Sequence, residues 1–257
     1  MYKKENMILK KVIPGSASRL TTVDHEETYG RHILEKVIQH LKINKCVDIG
    51  CGNGSDLSIV KKHHPNAELF GVDFGTWNND KLKSLGIQPV VVNIENDRLP
   101  FDDESVDLII GNQVLEHAKE MFWINHEIFR CLKVGGIFFL GVPNVLSLHN
   151  RLLMMFGYHP TCSKMISGHI RVFSKKDVSL FYNHAGGSVC KIEKFYGAQF
   201  YPFPKSIARC LAKIFPAYAV TSFYIIKKIG QYNNEFLDWP KQAQLETNYF
   251  TGKAENN

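Results

Sequence analysis

Residues 47–57 read VDIGCGNGSDL, and residues 70–74 read FGVDF. In the first run Asp48, Gly50, Gly52 and Gly54 form D-x-G-x-G-x-G, with an apolar β-branched stretch before it and a helical pattern after it. Glycines at a strand-to-helix turn allow a tight bend and let a ligand lie against bare backbone. A dinucleotide fold places a pyrophosphate at the helix start and favours G-x-G-x-x-G, whereas here the glycines alternate without the extra residue. The second run ends in Asp73, 23 positions after Gly50, close to the spacing of about 20 at which a carboxylate takes both hydroxyls of a ribose.

Working outward, short apolar runs alternate with helical segments. CVDIG at 46, ELFGVDF at 68, PVVVN at 89, VDLIIGN at 106 and GIFFLGV at 136 read as strands, with helices between most of them. That rhythm predicts a parallel sheet with crossover helices. Upstream, Ile33, Leu34, Val37, Ile38 and Leu41 share one face of a helix expected over Glu27–Leu41. Downstream, SVCKIEKFYGAQ and VTSFYIIKK read as two more strands with a short helix between them from Ser206 to Phe215. The whole is expected to be an α/β Rossmann-like doubly wound sheet of about seven strands. It is mostly parallel, with an antiparallel strand near the C-terminal edge, helices on both faces and a helical lid after the fifth strand.

The division expected is a lead-in at 1–24, one domain at 25–230 and a tail at 231–257 without a clear pattern. Within the domain, 146–187 is read as a lid and 198–217 as a short helical insertion. Ser174 and Asp177 make a capping pair for the last lid helix.

Composition narrows the class. The chain has 257 residues, 44% of them apolar, enough for one substantial core. No apolar run approaches the ~20 residues of a membrane span. The cysteines at 46, 51, 131, 162, 190 and 210 include no Cys-x-x-Cys pair and several lie in apolar runs. A reducing, cytoplasmic setting without a zinc site is therefore expected. Half of the formal charge of +6 comes from the first fourteen residues, so no nucleic-acid footprint is expected, and no stable membrane insertion. Nothing sets an oligomeric state.

Together VDIGCGNGSDL, GVDF, LPF, VDLIIGNQVLEH and LKVGG resemble the successive motifs of class I S-adenosylmethionine-dependent methyltransferases, in particular the type 11 group related to ubiquinone-biosynthesis enzymes. The resemblance spans about residues 30–145. It implies S-adenosylmethionine as cofactor, with Asp48, Gly50, Gly52 and Gly54 toward its methionine part, Asp73 on its ribose and Phe74 on the adenine. Asn93 and Ile94 stand where the family has an acidic residue followed by a small one; an asparagine oxygen still accepts from the adenine amino group. Asn112 ends the fourth strand beside the cofactor.

Methyl transfer from a sulfonium needs alignment and, for a hydroxyl acceptor, a base. Gln113, Glu116 and His117 are expected on one helix face, and His117 is the first candidate base, with a histidine fixed structurally by hydrogen bonds as the competing reading. His169, in the GHIRVF run with Arg171, is the second, with anchoring of the lid as the competing role. Glu116, His117 and His169 also resemble part of the ligand set of metal-dependent relatives, but Gln113 replaces the first glutamate of their Glu-x-x-Glu-His run, and no metal site is expected.

The expected acceptor is a small molecule, with a hydroxyl of a sugar or glycan precursor preferred. An RNA acceptor lacks its basic stripe, and GNQV at 111–114 lacks the prolines of Asn-Pro-Pro-aromatic enzymes. Arg151, Lys164, Arg171, Lys175 and Lys176 form a modest cluster, read first as a solvated helix face and alternatively as contacts to an anionic acceptor. The helix Ser206–Phe215 allows contact with a lipid surface, although packing of its apolar face on the sheet is the preferred reading. Met154, Met155, Phe156, Tyr158 and Met165, with Tyr201, Phe203 and Tyr218, are read as the wall of a partly apolar acceptor pocket. From another class, a sensor or partner protein that binds the cofactor without catalysis keeps the same glycine loop and Asp73.

Overall fold

The computed structural model describes residues 24–246 and 248–252. The lead-in expected at 1–24 thus lies outside the described residues except for Asp24, as do the last five positions of the tail.

Seven strands build one sheet: β1 (Lys45–Ile49), β2 (Glu68–Asp73), β3 (Gln88–Val91), β4 (Val106–Asn112), β5 (Leu132–Pro143), β6 (Cys190–Ala198) and β7 (Thr221–Lys228). Their order is β3-β2-β1-β4-β5-β7-β6. The pairs from β3 through β5 are parallel, and β7 runs antiparallel to both β5 and β6. This is the expected mostly parallel, doubly wound sheet. After β1 the chain winds outward to β3, then returns to β4 on the other side of β1. The reversal leaves a crevice beyond the carboxyl ends of β1 and β4, where open α/β sheets hold ligands.

The α-helices are α1 (Arg31–Ile38), α2 (Ser55–His63), α3 (Asn79–Ser84), α4 (Met121–Cys131), α5 (Leu148–Met155), α6 (Lys175–His184), α7 (Lys205–Ile214) and α8 (Glu235–Gln242). Strand alternation distributes them. Val47, Ile49, Ile109, Phe138 and Leu140 face one core with Phe129 of α4, Tyr182 of α6 and Phe236 of α8. Their neighbours Cys46, Leu108, Ile110, Ile137 and Phe139 face the other, with Leu34, Leu57 and Leu82 from α1, α2 and α3. Each strand residue shifted by one position would exchange these environments.

Four local expectations are corrected. The continuous helix over Glu27–Leu41 is a 3-10 turn, His25–Tyr29, followed by α1; the break is Gly30, packed so tightly under the Phe223 ring that a Cβ there would lie 2.3 Å from it. The tail beyond Gln231 is partly ordered on the core: α8 lies along α4, with Phe236 fully buried and Trp239 stacked on Phe122. Of the segment read as a lid, α6 is an ordinary layer of the domain, burying Val178 and Tyr182. The part that stands off the sheet is closed at its base by a parallel bridge between Asn144 and Phe173, with Val145 N–H donating to the Phe173 carbonyl at 2.9 Å.

The fourth correction concerns α7. Of its expected apolar face only Leu211 packs inward, and partly; Ala208 and Ala212 make the close contact, at 0% and 2% exposure. Small residues allow the close approach, and Ile207, Ile214 and Phe215 are left outward. No helix among the described residues is long and apolar enough to cross a membrane.

Candidate active site

The glycine loop leaves β1 and crosses the end of β2. Gly50 and Cys51 both donate their N–H to the Val72 carbonyl, at 2.8 and 3.1 Å, which pins the loop to the neighbouring strand. Gly50 has φ 67° and sits against Val114, whose Cγ2 would be 2.4 Å from an added Cβ. Gly52 has φ 51°, and a Cβ there would meet nothing within 4 Å. One glycine is thus required by the protein's own packing, whereas the other faces open space above the crevice.

Asp73 ends β2 beside this loop. Burial pushes its carboxyl up, opposed by the N–H groups of Phe74, Gly75 and Gly52 that point at it. Phe74 next to it is 73% exposed, its ring edge-on to Trp77 at 4.7 Å, so an aromatic face is available for a planar base. Asn93 spends one lone pair of its side-chain oxygen on the Glu95 N–H at 3.1 Å; Ile94, which follows it, packs against the core.

Beneath the loop lies a charged cluster. Asp48 is buried, and that burial, followed by the charge of Asp56, raises its carboxyl well above the usual range. Asp56 accepts from Arg31 Nε at 2.9 Å and from Asn112 Nδ2 at 2.7 Å. Asn112 also donates to the Tyr29 carbonyl at 2.9 Å, so its amide is committed to tying β4 to the entry of α1. Arg31 and Asp56 were missed in the sequence. The available signal was a carboxylate in the first turn of the helix that follows the glycines, where it complements that helix start.

Past β4 the expected helix face is absent. Gln113 takes φ 60°, its N–H donating to the Gly141 carbonyl at 2.8 Å, and only Leu115–His117 forms a 3-10 turn. Glu116 and His117 therefore differ in burial, the first enclosed and the second exposed. Glu116 is 1% exposed, its Oε2 has no hydrogen-bond partner, and burial pushes its carboxyl up to about 8.

The other half of the cluster arrives from the segment before α6. The Glu116 carbonyl accepts the N–H groups of Ile170 and Arg171 at 2.9 and 3.1 Å. Arg171 Nε donates to the Ala118 carbonyl at 2.9 Å, and its other end reaches Lys119, so Arg171 anchors this segment to the β4 turn. The anchor delivers His169 to His117, with ring centroids 4.8 Å apart. His117 Nδ1 bonds the Gly168 carbonyl at 2.9 Å, and His169 Nδ1 bonds the Cys162 carbonyl at 3.1 Å. A carbonyl only accepts, so both Nδ1 atoms carry hydrogen, and Nε2 is the atom that each neutral ring would offer. Burial, reinforced by the neighbouring His117, holds His169 below the ordinary histidine value.

One ligand atom each from Glu116, His117 and His169 lie within 4.8 Å of one another. Two imidazoles with a carboxylate suit a divalent transition metal, and backbone carbonyls on the far ring nitrogens are the usual outer support of such ligands. A separate cavity of about 760 Å³ is lined by Met121, Phe122, Phe173, Phe181, Tyr182 and Tyr249 among others. It shares Ile170 and Arg171 with the cluster's anchor, but none of the glycine loop, Asp73, His117 or His169 lines it.

Of the residues expected to wall an acceptor pocket, Tyr201 packs against His149 and Tyr218 lies under Arg151, while those around the end of α5 are outward. Met155, Phe156 and Met165 are 77%, 76% and 98% exposed.

Comparison with known proteins adds to this geometry. A family model described as a methyltransferase domain matches residues 47–140. A Mycolicibacterium smegmatis protein named "Probable S-adenosylmethionine-dependent methyltransferase" is 26% identical over 52% of this chain and 50% of its own length. The trans-aconitate 2-methyltransferase of Rhizobium rhizogenes is 24% identical over 54% of each chain. The 24-methylenesterol C-methyltransferase 2 of Arabidopsis thaliana is 27% identical over 49% of this chain and 35% of its own. The chain thus spans about half, or less, of the length of the curated relatives it matches. Among solved structures, an S-adenosylmethionine-dependent methyltransferase of Thermotoga maritima superposes with a TM-score of 0.56 at 19% identity, over 79% of this chain and 91% of that one. One from Aquifex aeolicus gives 0.53 at 17%, over 88% and 98%.

Proposed function

Since this chain is a member of the class I S-adenosylmethionine-dependent methyltransferases, we propose that it moves the cofactor's methyl group to a hydroxyl of a small molecule, with a sugar or glycan precursor preferred. In this reading the open space over Gly52 takes the methionine part, Asp73 the ribose hydroxyls, and Phe74 with Trp77 the adenine.

The observation that carries the hydroxyl is the histidine pair. A carboxylate acceptor is already ionised and an amine loses its ammonium proton readily to solvent, whereas an aliphatic hydroxyl needs a base placed beside it. His169 is kept neutral by its burial and offers Nε2. It takes the hydroxyl proton as the oxygen lone pair attacks the methyl carbon. The cofactor, when bound, would supply the methyl group and would keep the electrons of the broken carbon–sulfur bond as S-adenosylhomocysteine. The contact of Gly50 with Val114 supports this reading, because it joins the cofactor loop to the turn that bears His117. The segment 146–173 acts as the lid, anchored by Arg171.

A second reading of the same centre is favoured by the convergence of the three ligand atoms. Glu116, His117 and His169 would hold a divalent cation, which would supply positive charge to make the acceptor hydroxyl more acidic. Equal turnover with and without excess chelator removes this reading.

The test of the whole proposal is S-adenosylhomocysteine formation by the full chain across a panel of sugars, sugar nucleotides, phenols, carboxylic acids and amines, beside calorimetric titration of the cofactor. Product with hydroxyl acceptors alone is expected. Cofactor binding with no product anywhere on the panel would leave the sensor reading standing, and unchanged turnover in both His117→Ala and His169→Ala would remove the histidines from the chemistry.

A further inference from the structure

We propose that the outer faces of α5 and α7 together form a docking surface for an anionic lipid bilayer. The sequence pattern of α7 calls for its large apolar residues to face the sheet, yet Ala208 and Ala212 with a partly buried Leu211 fill that contact, and Ile207, Ile214 and Phe215 stand 47%, 60% and 52% exposed. At the end of α5, Met155 and Phe156 are exposed by about three quarters. A soluble surface rarely leaves so many large apolar side chains together unless something covers them.

The two groups belong to one surface. The Arg151 guanidinium of α5 lies over the Tyr218 ring, 4.9 Å from its centroid, just past the end of α7. The His149 ring meets Tyr201, which precedes α7, at 5.0 Å.

Charge selects the occupant. Residues 144–173 and 201–220 contain three Lys or Arg each and no Asp or Glu, which equals the chain's entire formal net charge of +6. Lys205 and Arg209 are shared with Glu27 and Asp24, while among the described residues Arg151, Lys164 and Lys213 have no acidic partner within ion-pair distance. Two copies meeting through this face would bring the unpartnered Arg151, Lys164 and Lys213 of each against one another, since Asp24 and Glu27 already serve Lys205 and Arg209. Apolar side chains flanked by lysine and arginine suit the boundary between acyl chains and anionic headgroups. Nothing in this inference depends on the identity of the methyl acceptor, and its test reads no turnover.

The test is flotation of the full chain with vesicles of phosphatidylcholine and phosphatidylglycerol at about 7:3, and with phosphatidylcholine alone. Binding to the mixed vesicles is expected to exceed that to the neutral ones by ~10-fold or more and to fall in high salt, since headgroup attraction is screened. Met155→Asp with Phe156→Asp, and separately Ile214→Asp, should each cut binding by at least about 10-fold while leaving cofactor affinity and the thermal transition as they are, because these side chains touch neither. Equal recovery in the absence of lipid, or lipid binding that these variants leave intact, would overturn the proposal. So would concentration-dependent dimers abolished by the same substitutions, which would make a second copy the occupant.

Discussion

The rings of His117 and His169 meet edge to face, their planes at 77° and their centroids 4.8 Å apart, although they come from separate segments joined through the Glu116 carbonyl, Arg171 and the bond from His117 to the Gly168 carbonyl. Each ring is fixed by a different backbone carbonyl, so the pair is assembled by loop geometry and not by a shared helix. If the pair acts as one proton-accepting unit, losing either member removes most of its effect. His117→Ala and His169→Ala are each expected to lower kcat by about 10²–10⁴, with cofactor affinity within a few-fold of wild type. The double variant should fall little further, because residues acting as a unit are not additive. Product formation at saturating cofactor, with calorimetry for binding, checks both parts.

Gly50 and Gly52 separate packing from ligand space. Gly50→Ala places a Cβ into Val114 at positive φ, and overpacking plus left-handed strain is expected to cost about 2–4 kcal/mol of stability. Gly52→Ala meets no protein atom, so its stability cost should be only the backbone strain, about 1–2 kcal/mol. Cofactor affinity should instead drop by 10-fold or more. Urea unfolding and cofactor titration of the two variants decide this, and equal losses of affinity would refute the distinction.

What was legible in the sequence follows from the range of the forces involved. The alternation of Val47, Ile49 and their neighbours is a local pattern, so the sheet and its glycine loop could be read directly. The meeting of His117 and His169 depends on the Asn144–Phe173 bridge and the Arg171 anchor, and backbone pairing across that distance leaves no periodic trace. The helix face expected for Gln113, Glu116 and His117 failed because the Gln113 N–H is claimed by the Gly141 carbonyl, which turns the chain before a helix can start. On α7 the apolar stripe predicted burial of isoleucines, but the close approach of helix to sheet admitted only alanines in full and Leu211 in part. The tail was unreadable because Phe236 and Trp239 find partners on α4, distant in sequence.

Arg130 tests how far one buried side chain holds the layer under β4 and β5. Its guanidinium donates to the carbonyls of Leu99 and Phe101 at 2.9 and 2.8 Å and to Glu127 at 2.7 and 2.8 Å. Glu127 is 2% exposed. Arg130→Leu would leave that carboxylate only the Leu99 N–H at 2.7 Å and the more distant His126 and Arg98, and a loss of about 3 kcal/mol is expected. Adding Glu127→Leu should restore part of it by removing that charge, while the carbonyls of Leu99 and Phe101 stay unpaired. Chemical denaturation of both variants measures the difference, and no recovery in the double variant would locate the loss in those carbonyls.

Glu116 gives a pH dependence whose sign can be worked out. Burial raises its carboxyl to about 8 in the folded chain, against about 4.3 when unfolded. Below the unfolded value both states hold the proton, and the full contribution to stability is present. Between roughly 4.3 and 8 the unfolded chain releases the proton while the folded chain keeps it, so stability falls as pH rises, by at most about 1.4 kcal/mol per pH unit for one proton. Above about 8 both states are ionised and the loss levels off. Glu116→Gln retains the shape of the side chain but cannot ionise. The stability of wild type relative to this variant, measured by urea unfolding in the presence of chelator from pH 5 to pH 9, should therefore decline across the range and flatten near its top. A difference that stays constant with pH would mean that Glu116 is solvated or paired in the folded chain. Adding a divalent cation that the cluster binds should abolish the decline, because positive charge beside Glu116 favours its ionised form and pulls its folded value down.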